Sequence, residues 1–226
     1  MSEWFFHLFP NMADKMPELW EATIQTLQMV FLSGAIAFAL GLVLGVLLIV
    51  TREGGVMACH PLWWSLDKLV NLLRSIPFII LLAALIPLTR AMVGTAIGVR
   101  GAIIPLVFGT VPFFSRQVEA ALAQIDWGLI EAAQSMGDSP QRIIFRVYLR
   151  EGVPALARAA TITFVSLIGL SAMAGSIGAG GLGDFAIRWG YQRNQTDVTY
   201  LTLIVILALV FVAQALGDYV VKKTTH

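Results

Sequence analysis

The chain has 226 residues, of which 58% are hydrophobic and 13% are charged, and its formal net charge is +1. Soluble domains carry about 25% charged residues, so this composition excludes an ordinary water-soluble globule and indicates a lipid-embedded protein. The net charge argues neither for nor against nucleic acid, and the single Cys59 excludes an internal disulfide or a cysteine metal cluster.

Five runs are candidates to cross, as helices, a bilayer core about 30 Å thick, which takes about 20 residues. Four are free of charge, and the second includes Arg74. The runs cover residues 22–51, 69–89, 101–115, 159–179 and 198–217. The third is the weakest, because Pro105 and Pro112 interrupt it. The sequence therefore predicts an all-α integral membrane protein with about five transmembrane helices.

The distribution of Lys and Arg predicts the orientation of these spans. With the N-terminus outside, the outer segments hold five basic residues: Lys15, Arg90, Arg100, Arg188 and Arg193. The inner segments hold about twice as many. We therefore expect an outer N-terminus and a cytoplasmic C-terminus. Residues 1–18 form a periplasmic segment that lacks the basic start of a cleaved signal peptide. Residues 19–217 form one membrane domain with a cytoplasmic loop at 116–158, and residues 218–226 form a cytoplasmic tail.

Two groups of small residues lie in or beside the spans. Ser33, Ala37, Gly41 and Gly45 recur at every fourth position, which favours close helix packing within the subunit over a seam between subunits. Residues 178–183 spell G-x-G-x-x-G, but a dinucleotide loop must follow a buried strand. Here the glycines follow a lipid-length run at its outer end. They indicate either a loop that ends a helix or a segment near an outer gate.

The cytoplasmic loop reads as helix, tight turn, helix. Gly137 suits the position after a helix, Ser139 suits an N-cap and Pro140 the first helical position. Leu129, Ala133 and Met136 share one face of the first helix. A stripe of Arg142, Arg146 and Arg150 on the second is either solvated, in contact with anionic lipid, or part of a docking surface. Because the loop is tethered between two spans, we favour docking of a cytoplasmic partner over DNA binding. Ala132 and Ala133 keep the surface shallow enough for a groove.

This loop resembles that of a known transporter family. Glu131-Ala132-Ala133 followed by Gly137 is similar to the EAA loop in permease subunits of type I ABC importers. The resemblance implies that a coupling helix docks on an ATP-hydrolysing subunit through Leu129, Glu131, Ala132, Ala133, Met136 and Gly137. Arg150 departs from the family pattern, which commonly has proline there, and this leaves the end of the second loop helix unassigned.

Further segments resemble the methionine branch of that family. They include Arg74-Ser75-Ile76-Pro77-Phe78, Ser171-Ala172-Met173 and the glycines Gly178, Gly180, Gly181 and Gly183. The resemblance covers roughly residues 19–217. It implies a type I permease fold and a homodimer in the bacterial inner membrane that translocates L- and D-methionine by alternating access. The implied partners are two ATP-binding subunits, an extracytoplasmic methionine-binding protein and membrane lipid, with no nucleic acid.

The chain itself lacks the residues for ATP chemistry. It has no P-loop lysine motif, so we expect no enzymatic activity and no cofactor in this chain, with ATP and magnesium on the partner subunit. His7, His60 and His226 are too scattered to suggest a metal site. No carboxylate falls within a predicted span, which disfavours a proton-coupled secondary transporter or channel. An ABC permease for a different small amino acid remains the closer alternative.

Three residues near the outer end of the fourth span are candidates for the pore or a gate. Ser171 and Met173 lie near that end, and Ser166 lies one to two turns deeper. A polarizable methionine side chain suits a thioether substrate or a gate, but it equally suits core packing. Arg74 either snorkels from the inner end of the second span or has a structural role with its neighbours Ser75 and Pro77.

Overall fold

The computed structural model describes residues 9–12 and 14–224, which form helices and turns and contain no β-strand. The predicted all-α class is confirmed. The helices are, in chain order, α1 Met16–Thr51, α2 His60–Ser75, α3 Phe78–Ala84, α4 Ile86–Val93, α5 Gly98–Leu122, α6 Trp127–Ser135, α7 Pro140–Ile143, α8 Leu149–Glu151, α9 Val153–Ala174, α10 Gly181–Phe185 and α11 Thr196–Thr224. A 3₁₀ turn occupies Pro10–Met12, and π-helical turns occupy Ile144–Tyr148, Gly175–Ala179 and Ala186–Tyr191.

Four helices in the described part of the chain are long and apolar enough to cross a membrane. They are Met16–Thr51, Gly98–Leu122, Val153–Ala179 and Thr196–Thr224. These match the first, third, fourth and fifth predicted spans, and each extends beyond the predicted bounds. Residues 1–8 and 13 of the predicted N-terminal segment and residues 225–226 of the predicted tail lie outside the described residues. The orientation of the termini stays a prediction.

The second predicted span, residues 69–89, is divided among α2, α3 and α4 and is not one continuous helix. The break falls at Ile76, whose backbone is extended with φ −82° and ψ 121°. A proline disfavours helical geometry in the residue before it, and Pro77 follows directly. Pro87 causes no comparable break, because it lies in the first turn of α4, where a proline needs no helical donor.

The third span behaves in the opposite way. The prediction that Pro105 and Pro112 interrupt it is wrong, since α5 is helical throughout. A proline removes one helical hydrogen bond and bends a helix, but it does not have to end it when the neighbouring residues are packed. Both prolines are buried in this structure.

The residues divide into two compact units. The first unit contains the chain up to Ala35 together with Pro77–Val107 and Phe164–Ala213. Its core has two clusters of apolar side chains. One includes Met29, Leu106 and Leu167, and the other includes Leu19, Leu182 and Phe185.

The second unit contains Ile36–Ile76, Phe108–Thr163 and the chain from Gln214 onward. Here α1 packs tightly on α5 through the predicted glycines. A Cβ added to Gly41 would lie 2.8 Å from Phe114 Cδ1, and one added to Gly45 would lie 2.5 Å from Val118 Cβ. The small-residue stripe is therefore confirmed as packing within the subunit at these two positions.

Candidate functional site

The loop at residues 116–158 contains a helical hairpin, α6 to α8, which forms as its sequence predicts. Asp126 caps α6 by accepting a hydrogen bond from the Gly128 N–H at 2.8 Å. Gly137 has a φ of 81°, a left-handed conformation that favours glycine, and it closes the turn. Ser139 caps α7 by accepting from the Arg142 N–H at 3.4 Å. The Asp126 cap was not predicted, although an aspartate one residue before a helix is a recognisable signal.

The hairpin is held by an apolar core of its own unit. Ile130 and Ala133 of α6 pack in a cluster that includes Val118, Leu122 and Tyr148. Ala133 is only 3% exposed. The prediction that Leu129, Ala133 and Met136 share one surface therefore needs correction for Ala133. Its side chain faces inward and packs α6 against the rest of the cluster.

The outward face of α6 carries large apolar side chains. Leu129 is 47% exposed and Met136 is 77% exposed, and Glu131 and Ala132 are exposed between them. The Trp127 indole N–H donates to Glu131 Oε1 at 2.9 Å, which fixes that carboxylate along the helix. A polar hairpin that exposes a leucine and a methionine on a well-packed helix is typical of a docking surface for another protein.

The second half of the hairpin departs from regular α-helix. A π-helical turn occupies Ile144–Tyr148, between Arg142 and Arg150. All three arginines are exposed, and Arg142 forms an ion pair with Asp138 at 2.9 Å. The end of the second loop helix, left unassigned by the sequence, lies just after Arg150, because α8 continues to Glu151 and ends at Gly152.

Tyr148 lies at the centre of the hairpin core with only 1% of its surface exposed. Its hydroxyl has no hydrogen-bond partner among the described residues. Burial raises the pKa of this phenol, and the nearby Arg52 charge partly opposes the rise. Tyr148 therefore stays neutral and serves as packing in this structure.

The glycine-rich segment of the first unit is docked on α1. The chain leaves α9 through Gly178, with a φ of 100°, and enters α10 through Gly180 and Gly181, which also have positive φ. The Gly181 N–H donates to Gln25 Oε1 at 2.8 Å, and the Leu182 N–H donates to Thr26 Oγ1 at 2.8 Å. These side chains occupy the helix N-terminus that a phosphate would need, and the segment follows a helix, so a dinucleotide site is excluded.

Close backbone contact explains two glycines in this segment. A Cβ added to Gly183 would lie 2.0 Å from the Ala172 carbonyl oxygen, and one added to Gly175 would lie 2.6 Å from the Asp184 nitrogen. Beside the segment lies a polar cleft of about 430 Å³ lined in part by Glu18, Glu21 and Gln25. Sequence reasoning missed Gln25 and Thr26. Their signal is that they are polar residues inside a run of lipid length.

The other predicted site residues fall in different surroundings. Ser171 is fully buried, and its hydroxyl donates to the Ile168 carbonyl at 2.7 Å, which argues against a substrate contact. Met173 is 43% exposed and Ser166 is partly exposed, so both stay predictions for the pore. Arg74 lies exposed in the last turn of α2, where a cation suits the helix dipole.

Ser75 and Pro77 flank the break that follows α2. The Ser75 hydroxyl donates to the Asn71 carbonyl at 2.8 Å, and Pro77 precedes the first residue of α3. Within residues 9–12 and 14–224, no group of three His, Cys, Asp or Glu side chains is placed to hold a metal ion.

Comparison with known proteins identifies the family. The model of the binding-protein-dependent transport system inner membrane component matches residues 60–226. A probable D-methionine transport system permease protein, MetI, of Vibrio cholerae is 46% identical over 205 residues, covering 91% of each chain. The methionine import system permease protein MetP of Bacillus subtilis is 44% identical over 216 residues, covering 96% of each.

Solved structures agree with the sequence relatives. One is an inward-facing MetNI methionine ABC transporter chain, which superposes with a TM-score of 0.93 at 45% identity. The match covers 95% of this chain and 99% of that one. An amino acid ABC transporter chain at 19% identity superposes with a TM-score of 0.78 and shows the shared fold alone. The predicted type I ABC permease fold is confirmed, and the chain belongs to the family of binding-protein-dependent transport system inner membrane components.

Proposed function

We propose that this chain is the membrane-spanning permease of an ATP-driven methionine importer. The observation that carries the proposal is that the sequence relatives and the superposed structure both belong to methionine transporters. Relatives 41–52% identical are named as methionine or D-methionine permeases. The superposition on a methionine transporter chain extends over nearly the whole length. The chain contributes the path for the substrate, and the partner subunits contribute ATP and magnesium.

In this proposal two copies of the chain form the translocation path. Four or five spanning helices per copy are few to enclose a path, and two copies offer two hairpins for two ATPase subunits. The hairpins lie in the cytoplasm, and the N-terminus lies outside, where a methionine-binding protein delivers the substrate. ATP binding closes the ATPase subunits, which displaces the hairpins and converts an inward-facing path into an outward-facing one. Hydrolysis resets the path, and substrate acts by binding some states better than others.

We assign docking of the ATPase to the outward face of α6. The packing of Ile130 and Ala133 makes α6 a rigid part of the second unit, so a push on its outer face moves the helix as a whole. Leu129 and Met136 supply apolar area that gains from burial in a groove. A bulky residue at position 133 would test the wrong surface, because it would disrupt the hairpin core before it touched a partner.

The docking assignment is tested by placing a charge on this face. We expect Met136→Glu to reduce recovery of the ATPase with the affinity-purified permease by about tenfold or more, because the charge would be buried unpaired in the groove. Ala123→Glu is the matched control, since Ala123 is also exposed but lies at the end of the preceding helical segment. Full ATPase recovery with normal uptake in the Met136 variant would exclude this face as the docking surface.

The substrate is tested by uptake of radiolabelled L-methionine into cells or proteoliposomes carrying the complete transporter. We expect unlabelled L- and D-methionine to compete and unrelated small amino acids not to. Stronger competition by another amino acid would assign the permease to a different substrate. Uptake that persists without the ATPase subunit would favour a secondary transporter or channel.

A further inference from the structure

Arg116 of α5 joins two helices of the second unit through an unusually dense set of polar contacts. Its Nη2 donates to Asp67 Oδ1 at 2.5 Å, to the Asp67 carbonyl at 3.2 Å and to Asn71 Oδ1 at 3.0 Å, all on α2. Its Nη1 donates to Glu119 Oε2 at 2.6 Å, one turn further along α5. Asp67 and Asn71 are four residues apart on one face of α2, and both point at the same guanidinium.

The contact is sheltered from water. The side chains of Arg116, Asp67 and Glu119 are each only 17–20% exposed, and the Arg116 Nε is buried without a hydrogen-bond partner in the described part of the chain. Ion pairs on an open surface contribute little, but removing one partner of a sheltered pair leaves the other charge desolvated and unpaired. The pairing between α2 and α5 is therefore difficult to break during a conformational change.

Arg116 lies on the part of α5 that supports the hairpin. Phe114 and Val118, on either side of it, belong to the same packed cluster as Ile130 and Ala133 of α6. Close-packed clusters transmit displacement because they resist compression. A movement of α6 is therefore transmitted to this stretch of α5, and Arg116 connects the stretch to α2 through its hydrogen bonds with Asp67 and Asn71.

We propose that Arg116 is a positioning residue for energy coupling, which makes α2 follow the hairpin when the hairpin moves. The inference rests on the proposed function, because it takes α6 as the docking element. The planar guanidinium is required, since a single lysine ammonium is a point charge that does not reproduce the forked contacts to Asp67, Asn71 and Glu119. Loss of the contact leaves α6 docked and the ATPase running, while α2 no longer follows.

The test uses the complete transporter reconstituted in liposomes with its ATPase subunit and binding protein. The measured quantity is substrate transported per ATP hydrolysed, together with ATPase recovery and the thermal midpoint of the complex. We expect Arg116→Gln to lower the transport-to-hydrolysis ratio by about two- to thirtyfold while ATPase recovery is unchanged. Arg116→Lys should fall between this variant and the wild type. Lys68→Gln is the matched control, because it removes an exposed charge from α2 next to Asp67.

Further variants separate coupling from simple destabilisation. Asp67→Asn keeps the shape of the side chain and removes its charge, so it carries the test if Arg116→Gln cannot be recovered. We expect the double variant Asp67→Asn/Arg116→Gln to have the same ratio as Arg116→Gln alone, since both changes disrupt one contact. A wild-type ratio in the Arg116 and Asp67 variants, or an equal fall in Lys68→Gln, would overturn the inference. Failure of the wild-type chain to bind an ATPase at all would instead overturn the proposed function.

Discussion

Thr26 offers a sharp test of how the glycine-rich segment is held on α1. Its Oγ1 accepts the Leu182 N–H at 2.8 Å, and it is only 3% exposed. Leu182 is fully buried. Thr26→Val keeps the shape of the side chain but removes the acceptor, so a buried backbone donor loses its partner. The adjacent contact of Gln25 with the Gly181 N–H is untouched, and the effect is confined to one hydrogen bond.

The expected cost follows from the desolvated N–H group. A buried donor left unpaired costs about 1–3 kcal/mol. Thr23→Val, one turn earlier on α1, is the matched control. The Thr23 hydroxyl only donates to the Leu19 carbonyl, which already accepts a helical hydrogen bond, so its loss should cost about 0.5 kcal/mol or less. In a chain of this length, each kcal/mol corresponds to roughly 2–4 °C in thermal midpoint.

The assay is thermal unfolding of the purified transporter in one detergent, with uptake measured in parallel. We expect the midpoint of Thr26→Val to lie several degrees below that of Thr23→Val, and Thr26→Ser to restore most of the loss because serine keeps the hydroxyl. Equal midpoints for the two valine variants would refute the view that Thr26 holds the segment by this bond.

Two other predictions concern a glycine pair and the buried tyrosine. We expect Gly183→Ala to lower stability by about 1–3 kcal/mol, because its Cβ would lie 2.0 Å from the Ala172 carbonyl oxygen. Gly169→Ala, whose Cβ meets open space on α9, should be neutral or stabilising by up to about 1 kcal/mol, and the reverse order of thermal midpoints would contradict this packing. Tyr148→Phe should leave stability unchanged or raise it by about 1 kcal/mol near neutral pH, since the lost hydroxyl has no partner, and a clear fall would show that it has one. The pKa of Tyr148 is raised in the folded state, so folding disfavours the ionised phenolate. The stability contributed by the neutral phenol is intact below the ordinary pKa of 10.0 and is lost as the pH rises through the pKa of the folded protein. The wild type should therefore lose more stability than the Phe variant in alkaline titrations.

Much of the membrane architecture could be predicted from charge-free length alone. The length rule failed at Pro77, where the chain leaves the helix, and the expected interruption at Pro105 and Pro112 did not occur; both errors have one reason. A proline alters only local hydrogen bonding, and the packing of the surrounding helices decides whether the chain leaves the helix. The length of a span depends on composition within one segment. Whether a proline ends the helix depends on packing neighbours that are distant in sequence.

The hairpin illustrates the same limit on a smaller scale. Its turn was predictable because Gly137, Ser139 and Pro140 act on their immediate neighbours. The inward direction of Ala133 was not, because a nine-residue helix shows too few turns to fix which apolar face meets the protein. The π-helical turn at Ile144–Tyr148 has no sequence signature of comparable strength.

The contacts that hold the glycine-rich segment on α1 and join α5 to α2 are long-range. Thr26 meets a residue 156 positions away, and Arg116 meets Asp67 across 49 positions. A single sequence offers only the hint that polar side chains occur in apolar helices. Their partners became visible once the helices were assembled.

The tight fit of Gly41 against Phe114 and of Gly45 against Val118 also governs how association between copies should be studied. Larger residues at such glycines are a common way to probe contacts between transmembrane helices. In this chain, larger residues at Gly41 or Gly45 would force α1 away from α5 inside each protomer. Loss of the dimer in such a variant would therefore report misfolding. Crosslinking, or substitution of residues on the other membrane-facing helix surfaces, would report association between copies without that ambiguity.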